Sequence, residues 1–567
     1  MARTHTDPHS DEKRLAELGY AQDLNRSWSG FSNFAISFSI ISILAGCFTT
    51  FAQAWNNGGP IAITWGWPLI SAFILVIGLC MSELLSAFPT AGGIYWWAAR
   101  LGGPMAGFYT GWLNLVGLVA VTASVNYACA TFMNVTIGLF SGSWTHAFGG
   151  NFLTRSFVLF VVLMVIVALV NIFSSHLLAL VNNISAYWHV FGAAAIVLLI
   201  LLTAKNYQTP SFVFTERINN SGFSNSWYWF YVLPLGFLLT QYTITGFDAS
   251  AHLSEETRGA SQSAARGLWQ SIFYSAIGGW ILLLAFLFVA TDTKFINDPG
   301  NGYGQGQVYA IFASALPRAA FETVMLVATV GQIFCSIACM TSTSRMLYAF
   351  SRDGAVPGSR LWATISPRTR VPVNAVLIST VAALLITLPA LYGGPGGVPV
   401  AFYAVVSIAV IGLYLAFLIP IYLRLRAGSS FTPGPWTLGR HYKWMNIVAV
   451  AEIIVISIYF CLPFLPSAVP WHSDFTWSAV NYAPILTGAV LVGITIWWFV
   501  SARHWFTGPR RTVADPVVID PRPSIGQAPD VPDPTPAPPG PAATATPDPA
   551  VAHPVANPRR LRPGRRP

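Results

Sequence analysis

Asp248, His252 and Glu255 stand at i, i+4 and i+7 within "TITGFDASAHLSEET", residues 243–257. On a helix this spacing stacks three titratable groups on one face. Such a row suits proton transfer or a charged gate. A metal centre draws on the same residue types but needs ligands from a second helix. No matching pair occurs elsewhere in the chain, so no metal and no other cofactor is expected. The competing reading of His252, Glu255 and Glu256 is a helix end in water. Asp248 sits deeper, just after the apolar run "WYWFYVLPLGFLLTQY". A charge there is costly and marks function.

Two more titratable residues lie in apolar surroundings. His189 falls within "ISAYWHVFGAAAIVLLILLTAK", where an imidazole can titrate near neutral pH or simply pack through hydrogen bonds. Glu83 opens "ELLSAFPTAGGIYWWAARLGG". It is expected to brace a gate, ahead of the chain-breaking Pro89 and Gly92-Gly93. Tyr95, Trp96 and Trp97 then predict an amphipathic segment lying in the membrane interface. Asn114, Asn126, Glu322, Gln332 and Glu452 are further polar residues in apolar runs.

The elements that must hold these residues are membrane helices. The 567-residue chain is 54% hydrophobic and 9% charged, against about 25% charged in a soluble domain, so it cannot present an ordinary wet surface. Twelve apolar runs are long enough to span a bilayer: roughly 33–55, 64–86, 105–136, 156–174, 184–204, 228–250, 270–291, 320–350, 373–392, 399–423, 444–466 and 483–503. Backbone groups in lipid must bond internally, so these runs are helices, numbered one to twelve. An N-terminus inside puts nineteen Lys and Arg residues on inner segments and five on outer ones (Arg155, Lys205, Arg217, Lys294 and Arg318), before the tail is counted. That bias places both termini in the cytoplasm, in a multi-pass protein of the cytoplasmic membrane. It also explains the net charge of +9 without a nucleic-acid partner. Residues 1–32 form a cytoplasmic segment and 33–505 the membrane domain. Residues 506–567, rich in Pro and Ala, are expected to be a disordered cytoplasmic tail. The six cysteines fall in apolar runs and form no C-x-x-C pair.

Two helices are interrupted by small and polar residues. Helix one carries Ser37, Ser39, Ser42, Gly46, Thr49 and Thr50; helix six carries Thr243, Thr245 and Gly246. Broken helices at corresponding places in two halves point to a transporter binding site, while close helix packing is the other reading. Half-helix ends suit a carboxylate at one side and an ammonium at the other, which an amino acid supplies together.

"SELLSAFPTAGGIYWWAARLGG" and "TGFDASAHLSEET" together resemble the amino acid–polyamine–organocation superfamily, in particular its amino acid/choline permease branch, over residues 17 to 505. The resemblance implies an all-α polytopic fold of twelve helices. Helices one to five and six to ten would be inverted repeats, with helices one and six unwound around the substrate. It implies a permease working by alternating access with a proton or counter-substrate. Carried onto this chain, the helix-one break covers Ser42, Ala45, Gly46 and Cys47, and the helix-six break Thr245, Gly246 and Phe247, with Phe247 as an aromatic gate. Asp248 matches an acidic position after the break, and His189 a helix-five basic group used for proton coupling. Relatives often have G-x-G in the first break, where this chain has Ala45 before Gly46. The expected substrate is γ-aminobutyrate or another amino acid, then choline or a polyamine. A membrane-embedded enzyme is disfavoured because the outer segments, the longest near 137–155, 205–227 and 292–319, are too short for a catalytic domain.

Overall fold

The computed structural model describes residues 8–298, 300, 306–392 and 400–513. The expected tail from residue 514 onward lies outside them. Among the described residues the regular structure is helical apart from a two-residue antiparallel ladder pairing Asn57 with Asn219 and Gly58 with Ile218 and a single parallel bridge between Trp28 and Thr257. Eleven helices among the described residues are long and apolar enough to cross a membrane. They correspond to eleven of the twelve expected runs. Helix one is Gly30–Thr49, helix two Pro60–Ala87, helix three Gly93–Phe140, helix four Phe152–Phe173 and helix five Ser175–Thr203. Helices seven and eight are Ala260–Phe288 and Arg318–Arg352. Helix nine is Val373–Thr387, helix ten Val400–Ala427, helix eleven Tyr442–Cys461 and helix twelve Ala483–Val500.

Helix six is in pieces. A π-turn at Tyr228–Val232 leads into Leu233–Gly236, then Leu238–Thr243, and after a gap Ala249–His252. Pro234 fits at the start of its short helix, where its missing N–H has no bond to lose. Helix one is broken too, at Ser42, between Gly30–Ile41 and Ile43–Thr49.

The long helices show why burial sorts these residues. In helix five, Phe191, Leu198 and Leu202 point outward, exposed by 58% or more, as lipid-facing side chains do. On the same helix Ser185 and His189 are buried. Helix three packs on helices eight and ten, and helix seven on one and two, which encloses the broken helices.

One expectation is corrected here. Residues 93–102 do not lie in the interface with their aromatic rings outward. Tyr95, Trp96 and Trp97 are all buried in the protein. Trp97 donates from Nε1 to the Phe88 carbonyl at 2.9 Å, and Tyr95 packs on Phe350 at 4.9 Å. The rings fill the space under the turn between helices two and three. The helix then kinks at Gly103, ahead of Pro104.

Candidate functional site

The two breaks face each other. A Cβ on Gly46 would stand 2.4 Å from Thr243 Oγ1 and 2.6 Å from its Cβ. A Cβ on Gly246 would stand 2.2 Å from Ile40 Cγ2. Each glycine therefore admits the opposite helix at closest approach, and Gly246 also holds φ +78°, a conformation that disfavours any side chain. Ser42 adopts φ 35°, ψ 84°, a left-handed state that strains a non-glycine residue.

Breaking a helix frees backbone groups that lipid cannot satisfy, and neighbouring side chains take them up. Ser37 Oγ donates to the Phe247 carbonyl at 2.8 Å and accepts from Ser250 N–H at 3.0 Å. Tyr414 of helix ten donates to the Ile244 carbonyl at 3.3 Å. Cys335 of helix eight donates to the Ile40 carbonyl at 3.2 Å. The Ser42 hydroxyl does not cap the half-helix that follows it; it turns instead to His189 Nε2 at 2.7 Å. His189 Nδ1 lies 2.8 Å from the Ser185 carbonyl. A carbonyl only accepts, so Nδ1 carries a hydrogen.

Of the expected site residues, Ser42, Ala45, Gly46 and Cys47 share the short helix-one segment, and Thr245, Gly246 and Phe247 the facing gap. All seven are buried. The Phe247 ring packs on Phe417 of helix ten with centroids 5.3 Å apart.

Asp248 follows at the start of the lower half-helix. Its Oδ2 accepts from Asn114 Nδ2 of helix three at 3.1 Å and lies 3.2 Å from His252 Nε2. Its Oδ1 is buried with no partner in the protein, as is Asn114 Oδ1. His252 Nδ1 donates to the Ala91 carbonyl at 3.2 Å, so that nitrogen too carries its hydrogen. Asp248 and His252 are both fully buried.

The water-exposed helix end considered for His252, Glu255 and Glu256 is corrected: none of the three reaches solvent. Nor do Asp248, His252 and Glu255 form one continuous helical face, because the α-helix stops at His252 and a tighter turn covers Ser254–Glu256. Glu255 receives both terminal nitrogens of Arg352 at 3.0 Å and the Ala91 N–H at 2.9 Å. Glu256 receives Arg345 Nε at 2.9 Å and the Ser175 hydroxyl. Glu83 receives Arg424 Nε at 2.8 Å, the Thr437 hydroxyl at 2.8 Å and Leu438 N–H at 3.1 Å. Arg424 is in turn stacked on Phe431 and Tyr442, each 4.1 Å away. These bridges join distant parts of the chain at the end of the bundle where residues 8–28 lie. Trp28 donates to Ser175 at 2.9 Å, Gln22 to the Glu255 carbonyl at 3.0 Å, and Arg352 covers the Tyr20 ring at 3.9 Å.

Sequence reasoning missed Tyr414, Ser250 and Ala91. Nothing in their local sequence marks them, since each serves a backbone or side chain that is remote in sequence.

The match to known proteins agrees with this geometry. Residues 29–490 match the model of the family described as "Amino acid permease". The chain belongs to that family. Its members are permeases, so the protein is a transporter and not an enzyme. The chain is 40% identical over 514 residues to "Amino-acid permease BAT1" of Arabidopsis thaliana, covering 88% of this chain and 96% of that protein. It is 28% identical to the "GABA-specific permease" of Saccharomyces cerevisiae, covering 89% and 87%. It is 26% identical to a "Putative polyamine transporter" of Candida albicans, covering 92% and 93%.

Proposed function

We propose that this permease carries an amino acid or a related amine such as γ-aminobutyrate across the cytoplasmic membrane by alternating access, coupled to a proton or a counter-substrate. Both ends of the chain would be cytoplasmic, in line with the Lys and Arg bias. The observation that carries this reading is the meeting of two broken helices beside Asp248 and Asn114, whose free oxygens lack donors. Buried acceptors without donors are costly unless a ligand or water meets them. An ammonium group brings three donors. The relatives named for an amino acid, γ-aminobutyrate and polyamines all share that amine chemistry. Choline or a polyamine is the second reading, favoured by the acceptor-only character of the free Asp248 oxygen.

The proton is assigned to Asp248 and His252. With His252 Nδ1–H committed to the Ala91 carbonyl, Nε2 and the carboxylate can bond only if one more proton lies between them. The pair is then histidinium with carboxylate, or imidazole with carboxylic acid. His189 is the second coupling candidate, tied to the first break through Ser42. Glu255 and Glu83 act as gate braces, through Arg352 and Arg424.

Purified protein in proteoliposomes should show saturable uptake of an amino acid or amine, driven by a proton gradient or by internal counter-substrate. Absence of both effects across a panel of amino acids and amines would overturn the proposal.

A further inference from the structure

Helix eleven holds a carboxyl group, Glu452, half-way along its length in the membrane. The residue is half-buried. Its Oε1 accepts a hydrogen bond from Gln241 Nε2, and its Oε2 is sealed from solvent with no partner. Gln241 is fully buried, and its Oε1 is also unpartnered. The pair is thus one hydrogen short. An ionised Glu452 has no donor for Oε2 and offers none to Gln241 Oε1. Turning the amide over only changes which oxygens face each other. A proton on the carboxyl gives Glu452 the hydrogen it lacks, and it removes a charge that apolar surroundings penalise heavily.

We infer that Glu452 is a proton-binding site, read out by helix six through Gln241. This rests on the alternating-access reading. Gln241 lies in Leu238–Thr243, the last turn before the gap, so a tilt of that piece withdraws the amide from Glu452. That movement opens the carboxyl to water, the proton leaves to that water as the hydrated carboxylate forms, and it returns when Gln241 docks again and shuts the water out. Among the described residues no cation pairs with the carboxyl from the elements packed on helix eleven, which are helices two, six, ten and twelve and the turn Gly439–His441. Helix ten presents Tyr414, within electrostatic reach of both Glu452 and Asp248. Helix two contributes Cys80 and Glu83, the latter bound to Arg424. Helix six contributes Tyr228, Tyr231, Tyr242 and the Asp248–His252 pair, and helix twelve has no titratable residue. Arg424 is occupied, and among the described residues neither Arg426 of helix ten, Lys443 of helix eleven nor Arg440 and His441 just before it forms an ion pair with Glu452.

Infrared difference spectra of the full-length protein, wild type minus Glu452→Gln, test this without any transport assay. The expected result is a protonated-carboxyl C=O band that is present in wild type, lost in Glu452→Gln and shifted in Gln241→Leu. Carboxylate bands in its place would overturn the inference. In proteoliposomes, Glu452→Gln should keep substrate counterflow within about twofold of wild type while the pH dependence of gradient-driven uptake is reduced. Wild-type pH dependence in Glu452→Gln would also overturn it. If wild-type uptake ignores the proton gradient, the coupling reading fails, and the infrared band still decides the state of Glu452.

Discussion

Two sets of carboxyl groups are shut inside this protein, and they are finished differently. At the end of the bundle near residues 8–28, Glu83, Glu255 and Glu256 each have a donor on both oxygens and an arginine among the donors. Beside and above the helix-six gap, Asp248 and Glu452 have no arginine, and each leaves one oxygen empty. A buried carboxylate bonded on both oxygens and paired with an arginine is expensive to break and holds a conformation, although Arg345 Nη2 and Arg352 Nε themselves have no acceptor. A carboxyl that is short of donors has something left to bind. The first set reads as a closed gate and the second as the working interior.

Substitutions can break that contrast. The largest effect should come from the saturated set. Arg345→Met leaves Glu256 buried without its cation, at a cost of about 3–5 kcal/mol, and should appear as lost folded yield and a lower melting temperature. Glu256→Gln combined with Arg345→Met should recover much of that loss. If Arg345→Met alone is neutral, the bridge is not what holds the gate. Next comes Gly46→Ala, which forces a methyl into Thr243 at about 1–3 kcal/mol of overpacking. Substrate uptake should fall sharply while the protein stays folded, and near-wild-type uptake would separate the two breaks from the transport path.

The smallest effect is a pH dependence at the gate. Asp353, just beyond helix eight, accepts from the Tyr20 hydroxyl at 2.9 Å and from Arg510 N–H at 2.9 Å. Burial pushes its carboxyl up to about 7, outweighing those two donors and the Arg510 charge. A folded value raised above the unfolded one means stability that is present in full below about pH 4 and is lost as pH rises through about 7. The clasp over Tyr20 should therefore loosen as pH rises from about 4 to about 7 and change little above that. Thermal stability measured across that window should fall in wild type and fall less in Asp353→Asn.

Much of this was legible in the sequence, for identifiable reasons. Apolar run length is a local property, so eleven of the twelve expected runs match long helices with only their edges shifted. Gly46, Gly246 and Asp248 stood out because each breaks a local rule of membrane helices. The gate pairings did not emerge, because Glu83 and Arg424 are 341 positions apart and a single sequence carries no record of which charges meet. The same blindness made "HLSEET" look wet, since local composition cannot reveal that Arg345 and Arg352 fold over it. Tyr95, Trp96 and Trp97 carry an interfacial signature, yet a turn closing over them buries the rings. Residues 506–513 read as the start of a tail, but Phe506 is buried and Thr512 N–H bonds the Gly19 carbonyl at 2.7 Å.

The measurement that tests the account most directly is transport by Asp248→Asn in proteoliposomes, with gradient-driven accumulation and counterflow scored side by side. The amide keeps the size of the side chain but cannot share a proton with His252. Accumulation should fall by about tenfold or more, with counterflow partly retained. Accumulation with wild-type size and pH dependence in Asp248→Asn would contradict it.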